Sequence, residues 1–138
     1  MPLLFVYGSL KQGFANQQVN RGRRLPGAWR TRVPMALVLL GGGRVPCLLL
    51  DVDAPAQVVG EVYEVDAEGL AAMDRLERLG EPDGYERVTL GCERFDCAPP
   101  QPLEVFAYGK RAAHVPAQEP RVGPLAEYTH EHARGFRW

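Results

Sequence analysis

The chain opens on five apolar positions in a row, "LLFVY" at residues 3–7, stopped by Gly8. A short unbroken apolar run of this kind predicts a strand buried on both faces. Residues 35–40 and 45–50 are also apolar runs, and the "GGG" at 41–43 between them suits a hairpin turn that needs positive φ. "VVGEVYEV", residues 58–65, is again strand-like and rich in β-branched positions. The period then changes. Leu70, Met73, Leu76 and Leu79 recur every third residue, which predicts an amphipathic helix with Asp66 as N-cap, Glu68 in its first turn and Gly80 at its stop. Two further strands are predicted at residues 85–90 and 103–108, with "CAPPQP" as the loop between them. Residues 16–24 suit a short helix capped by Asn16. The last thirty residues read as mostly irregular, with a short helix near 125–134.

Many strands, one clear helix and then more strands do not alternate as a doubly wound fold would. The expected class is α+β, a small mixed or antiparallel β-barrel with flanking helices. A length of 138 residues predicts one domain over 1–138. Its C-terminal tail is expected to be irregular from about residue 110.

Composition narrows the function classes. Hydrophobic residues at 46% and charged residues at 24% are ordinary globular values, and a formal net charge of −1 supplies no overall field for nucleic acid or an anionic membrane. Arg21, Arg23, Arg24, Arg30 and Arg32 cluster, and a solvated surface is the expected use. Three cysteines, Cys47, Cys92 and Cys97, leave an odd count without a CxxC. That argues against a disulfide framework or zinc ribbon and favours the reducing cytoplasm. No apolar run approaches the roughly 20 residues of a membrane helix, and the first residues carry no export-signal pattern. His130 and His132 form an HxH without a further ligand cluster, so they read as structural and no metal is expected.

Two features suggest chemistry. In "GSLKQGF" the glycines Gly8 and Gly13 are spaced as in a phosphate-binding loop, but Phe14 and Ala15 stand where Lys and Ser/Thr are required. Backbone amides just after a strand can instead face a carboxylate or carbonyl oxygen, with Ser9 adding a hydroxyl and Tyr7 a phenol. A plain turn fits the loop equally well. The second feature is Glu77. On a helical projection it falls at about 340°, between Leu70 and Met73 and inside the apolar stripe. A carboxylate there is costly unless it is paired or neutral. Either it lies at the stripe's edge and pairs with an arginine such as Arg87, or burial raises its pKa and makes it a proton shuttle.

Taken in order, "FVYGSLKQGFANQQV", "GEVYEVDAEGLAAMDRLE", "GYERV" and "VFAYG" resemble the gamma-glutamylcyclotransferase family, in particular its gamma-glutamylamine cyclotransferase-like branch. The resemblance covers residues 4–109 and implies a compact barrel with flanking helices. It implies cleavage of gamma-glutamyl amines or amino acids by attack of the α-amine on the gamma-amide carbonyl. The products are 5-oxoproline and a free amine, and neither metal nor organic cofactor takes part. Carried over by position, it places the catalytic role on Glu77 and substrate binding on Tyr7, Gly8, Ser9 and Leu10. Tyr108 becomes a pocket wall, and Tyr85 and Arg87 become supports. Arg75 and Leu76 stand where members often carry Asp or Phe, the turn "LGEPDG" before Tyr85 is extra, and the histidine-containing tail does not align. These departures bear on the choice of substrate. The implied partner is a small gamma-glutamyl molecule, with no nucleic acid and no membrane. A noncatalytic small-molecule binding protein on the same barrel, or a pathway enzyme removing a gamma-glutamyl protecting group, is the alternative.

Overall fold

In the computed structural model, residues 2–41, 43, 45–116 and 118–134 are described. The strands are β1 (Leu3–Val6), β2 (Arg23–Arg24), β3 (Trp29–Thr31), β4 (Ala36–Leu40), β5 (Val45–Leu49), β6 (Val59–Glu64), β7 (Glu86–Arg94), β8 (Gln101–Gly109) and β9 (Arg121–Leu125). The helices are α1 (Ala67–Leu76) and α2 (His130–Ala133). Five strands run β1-β8-β7-β3-β6, and β6 returns to β1 to close a barrel. Only β1 and β8 pair in parallel; the other barrel pairs are antiparallel. The fold is therefore α+β with a closed mixed barrel, as the sequence suggests.

The apolar runs follow from double burial. Leu4 and Val6 face one core with Val38 and Met73, while Phe5 and Tyr7 face a second core with Trp29, Leu37 and Val62. Strand β4 divides in the same way, with Ala36, Val38 and Leu40 in one core and Leu37 and Leu39 in the other. A strand covered on both sides has no polar face to alternate with.

The glycine hairpin forms as expected. Leu40 lies opposite Val45, and Gly41 and Gly43 take φ of 64° and 105°. It does not enter the barrel, however. Strands β5, β4 and β9 make a separate three-stranded sheet, joined to the barrel by a bridge between Leu49 and Lys110.

Three expectations need correction. Residues 16–24 hold only a 3-10 turn, Gln17–Val19, and the Asn16 side chain does not cap it. The chain then extends to pair with β6, and Arg23, Arg24 and Arg30 meet Glu64, Glu61 and Glu93. The arginine cluster is thus largely spent on ion pairs between strands. Helix α1 has the predicted Asp66 cap, which accepts from Gly69 N–H at 2.7 Å, but it ends at Leu76 rather than Gly80. The tail after 110 is not irregular throughout, because β9 pairs with β4 before the short helix α2. "RVGPL" is mostly exposed and carries a proline, as an edge strand tolerates, so it shows no apolar run. No helix among the described residues is long and apolar enough to cross a membrane.

Candidate active site

The loop after β1 is shaped by close approach and by its own hydrogen bonds. A Cβ on Gly8 would lie 2.8 Å from Pro46 Cγ, so glycine lets the end of β1 rest against β5. Lys11 N–H donates to Gly8 O (3.0 Å), and Asn16 N–H donates to Ser9 O (2.8 Å). Gln12 N–H donates to Glu61 Oε1 on β6 at 2.9 Å. These bonds leave the amides of Gly8, Ser9 and Leu10 without an acceptor among the described residues. Asn16 Nδ2 donates to Ser9 Oγ at 2.8 Å, which leaves the serine O–H free to donate elsewhere. The loop therefore presents a wall of hydrogen-bond donors.

Glu77 is placed by the way α1 stops. Arg78 N–H donates to Arg75 O and Leu79 N–H to Asp74 O, the paired bonds of a Schellman cap. Arg78 holds the left-handed position at φ 56°, where glycine is usual. Glu77 is the C-cap residue itself. The chain then leaves the helix, so Leu79 is 37% exposed instead of completing the apolar stripe. Glu77 is only 8% exposed, and its carboxylate has no hydrogen bond or ion pair among the described residues. Arg87, the partner considered from sequence, pairs with Asp74 instead. Burial pushes the Glu77 carboxyl up to about 7, with the Lys110 charge opposing the rise.

Glu77 and the loop residues Gly8, Ser9 and Leu10 line one cavity, together with Tyr7, Tyr85 and Tyr108. The cavity is small, about 30 Å³. Every one of these phenols donates its proton to the protein. Tyr7 Oη donates to Tyr108 O (2.7 Å) and accepts from Leu48 N–H (3.2 Å). Tyr85 Oη donates to Pro46 O (2.7 Å), and Tyr108 Oη donates to Asp74 Oδ1. Burial raises the pKa of all three, so they stay protonated. A second cleft shares Val45, Glu77 and Tyr85 with this cavity and continues past Arg78, Lys110 and Glu119. Lys110 Nζ donates to Asp83 O at 3.0 Å and lies 4.9 Å from the Tyr85 ring centre.

All of the sequence-derived candidates except Arg87 line the main cavity. Arg87 stands behind it, paired with Asp74 and lying over the Phe106 ring. Sequence reasoning missed Asn16, Glu61, Asp74 and Lys110. The capping pattern drew Asn16 to the wrong partner, whereas Glu61 and Asp74 sit inside quoted motifs with no local sign of what they hold. His130 stacks on Phe14 with ring centres 4.1 Å apart, and His132 accepts at the N-terminus of α2. Both histidines thus have packing and capping partners. Cys47 is fully buried with its thiol pushed up to about 12, which leaves no thiolate at neutral pH.

Comparison with known proteins places these features in a group. Residues 4–129 match the family described as "Gamma-glutamyl cyclotransferase, AIG2-like". The chain is 32% identical to the gamma-glutamylaminecyclotransferase of Homo sapiens over 149 aligned residues, covering 100% of this chain and 96% of that one. It is 34% identical to the Bos taurus protein of the same name, covering 98% and 80%. Among solved structures, an AIG2-like protein from Mus musculus superposes with a TM-score of 0.79 at 29% identity, covering 100% of this chain and 95% of that chain. YkqA from Bacillus subtilis shares the fold at a TM-score of 0.60 and 21% identity, over 79% of this chain and 35% of that one. With its family match running through nearly the whole barrel and both walls of the cavity, the chain belongs to the gamma-glutamyl cyclotransferase, AIG2-like family.

Proposed function

We propose that the protein is a cyclotransferase that cleaves gamma-glutamyl amines or amino acids, releasing 5-oxoproline and a free amine. The observation that carries this reading is a buried, unpaired carboxylate, Glu77, in the same cavity as three amides that have no acceptor among the described residues. Such amides suit the glutamyl carboxylate or the oxygen that becomes negative during acyl transfer. The activity named for the human and bovine relatives supports the same reading.

The reaction needs little beyond position and one proton carrier. The substrate's α-nitrogen and its gamma-carbonyl belong to one molecule, so holding the chain curled makes the attack intramolecular. Glu77 as carboxylate takes a proton from the α-ammonium, and the freed amine forms a bond to the gamma-carbonyl carbon. The carbonyl oxygen becomes an oxyanion against the loop amides. As the carbon–nitrogen bond to the leaving amine breaks, the Glu77 acid gives its proton to that nitrogen. The regenerated carboxylate takes the second proton from the ring nitrogen and passes it to the released amine, which departs as an ammonium ion. A pKa near neutrality lets one group do both jobs. The second cleft, reached past the same carboxyl, gives the amine a way out. The reading places the protein in the cytoplasm, in keeping with three free cysteines.

The test is a panel of gamma-glutamyl donors scored for 5-oxoproline, with Glu77→Gln as control. The wild type is expected to form the ring and the folded variant to form none. Equal production by folded Glu77→Gln removes Glu77 from the chemistry. No product from any donor, with binding retained, leaves the noncatalytic binding protein.

A further inference from the structure

The cavity has a polarity that the reaction alone does not explain. One wall, Gly8, Ser9 and Leu10, offers donors. The phenols of the same cavity have given their protons to the protein, so toward a ligand they offer only oxygen lone pairs. Tyr7 Oη has spent a lone pair on Leu48 N–H, and Tyr108 Oη lies against the Arg87 guanidinium, so each phenol oxygen keeps one lone pair.

The acceptor state of Tyr108 is enforced by Asp74. Tyr108 and Arg87 are directly opposed on β8 and β7, and Asp74 reaches both from α1. One carboxylate oxygen takes the phenol proton and the other takes the guanidinium. Both oxygens of Asp74 accept in this arrangement, so the hydroxyl of Tyr108 cannot turn its proton toward the cavity without abandoning its hydrogen-bond partner.

We propose that Asp74 is a positioning residue that holds the Tyr108 phenol as an acceptor for the α-ammonium group of the ligand. The glutamyl group is thereby oriented, carboxylate and carbonyl toward the loop amides and nitrogen toward Tyr108 and Glu77. The inference rests on the gamma-glutamyl reading above, and it adds the residue pair that selects a ligand bearing a free α-amine.

Binding separates it from the chemistry. In a Glu77→Gln background, where the catalytic carboxylate cannot contribute, calorimetry compares gamma-glutamylethylamide with glutaric acid monoethylamide, which lacks the α-amine. The amine-bearing ligand is expected to bind tighter by on the order of tenfold, the worth of one charge-assisted hydrogen bond. Adding Tyr108→Phe or Asp74→Asn is expected to reduce that preference to about twofold or less while the affinity of the des-amino ligand stays within about twofold. A preference that survives both substitutions overturns the proposal. So does an equal loss for both ligands, because a merely structural role for Asp74 moves them together. Ring closure by the wild type with no such shift in preference sinks this inference and leaves the cyclotransferase reading intact; binding of neither ligand removes both.

Discussion

Glu77 is ionisable, buried and unpaired, and that combination acts on folding as well as on chemistry. Its carboxyl titrates near 7 in the folded protein against an ordinary 4.5. Between those values the unfolded chain has released the proton and the folded chain has not, so stability falls as pH rises through that window and the penalty is complete above it. By linkage the penalty is about 3 kcal/mol. Glu77→Gln carries no charge to bury. Urea unfolding is expected to show it more stable than wild type at pH 8 and level with it near pH 4; a constant offset at both pH values would contradict a raised carboxyl. In the proposed mechanism the same titration sets activity, since only the carboxylate can take the substrate proton. The acidic limb of kcat/KM is expected near 7, rather than in the range of a solvated glutamate. Glu77→Asp withdraws the carboxyl by one methylene and is expected to lose at least about 100-fold in kcat, because near-attack geometry tolerates little displacement. Sequence exposed Glu77 as a misfit in an apolar pattern, although the helical projection that did so ran through Leu79, three residues past the true end of α1. It could not expose Asp74, whose partners Arg87 and Tyr108 lie 13 and 34 residues away.

The end of α1 shows how an element holds that residue in place. Arg78 adopts a left-handed conformation, Tyr85 N–H closes back on Glu77 O at 2.9 Å, and Gly84 packs beneath the cap. A Cβ on Gly84 would stand 1.8 Å from the Arg78 carbonyl oxygen. Backbone cannot yield there as a flexible side chain would, so the displacement must pass to the cap. Gly84→Ala is expected to cost about 2 kcal/mol of stability. Its acidic limb in kcat/KM is expected to move below that of the wild type, because a displaced carboxylate becomes more solvated. Urea unfolding and a pH–rate profile measure the two effects; a variant that loses stability with an unmoved limb would show that the cap does not set the carboxyl's surroundings. The helix was legible because Asp66 and the leucine spacing are local signals. Its stop was not, because Gly80 is the obvious terminator whereas the αL residue actually used is an arginine.

At the scale of the whole molecule, the barrel strands were readable from apolar runs, and the closing of the tail over the loop was not. The tail makes its contacts through backbone and single side chains, which leave no periodic trace. Strand β9 pairs with β4, and Val59 N–H donates to Ala126 O at 2.7 Å. Lys11, only 4% exposed, donates from Nζ to Tyr128 O at 2.6 Å, and Phe14 stacks on His130. The loop that shares a cavity with Glu77 is thus tied from outside by residues more than a hundred positions away. Lys11→Met keeps most of the side chain's apolar volume and removes the donor, leaving the Tyr128 carbonyl unpaired. It is expected to cost about 1–3 kcal/mol in urea unfolding and to lower kcat/KM as the loop loosens. Tyr128→Phe is the contrasting case. Its hydroxyl is buried without a partner among the described residues, so removing it is expected to leave stability level or raised by about 1 kcal/mol. If Lys11→Met matched wild type in both stability and turnover, the tail would merely cover the loop; a loss in both, with Tyr128→Phe level or better, makes the closed tail part of what holds the donor wall against Glu77.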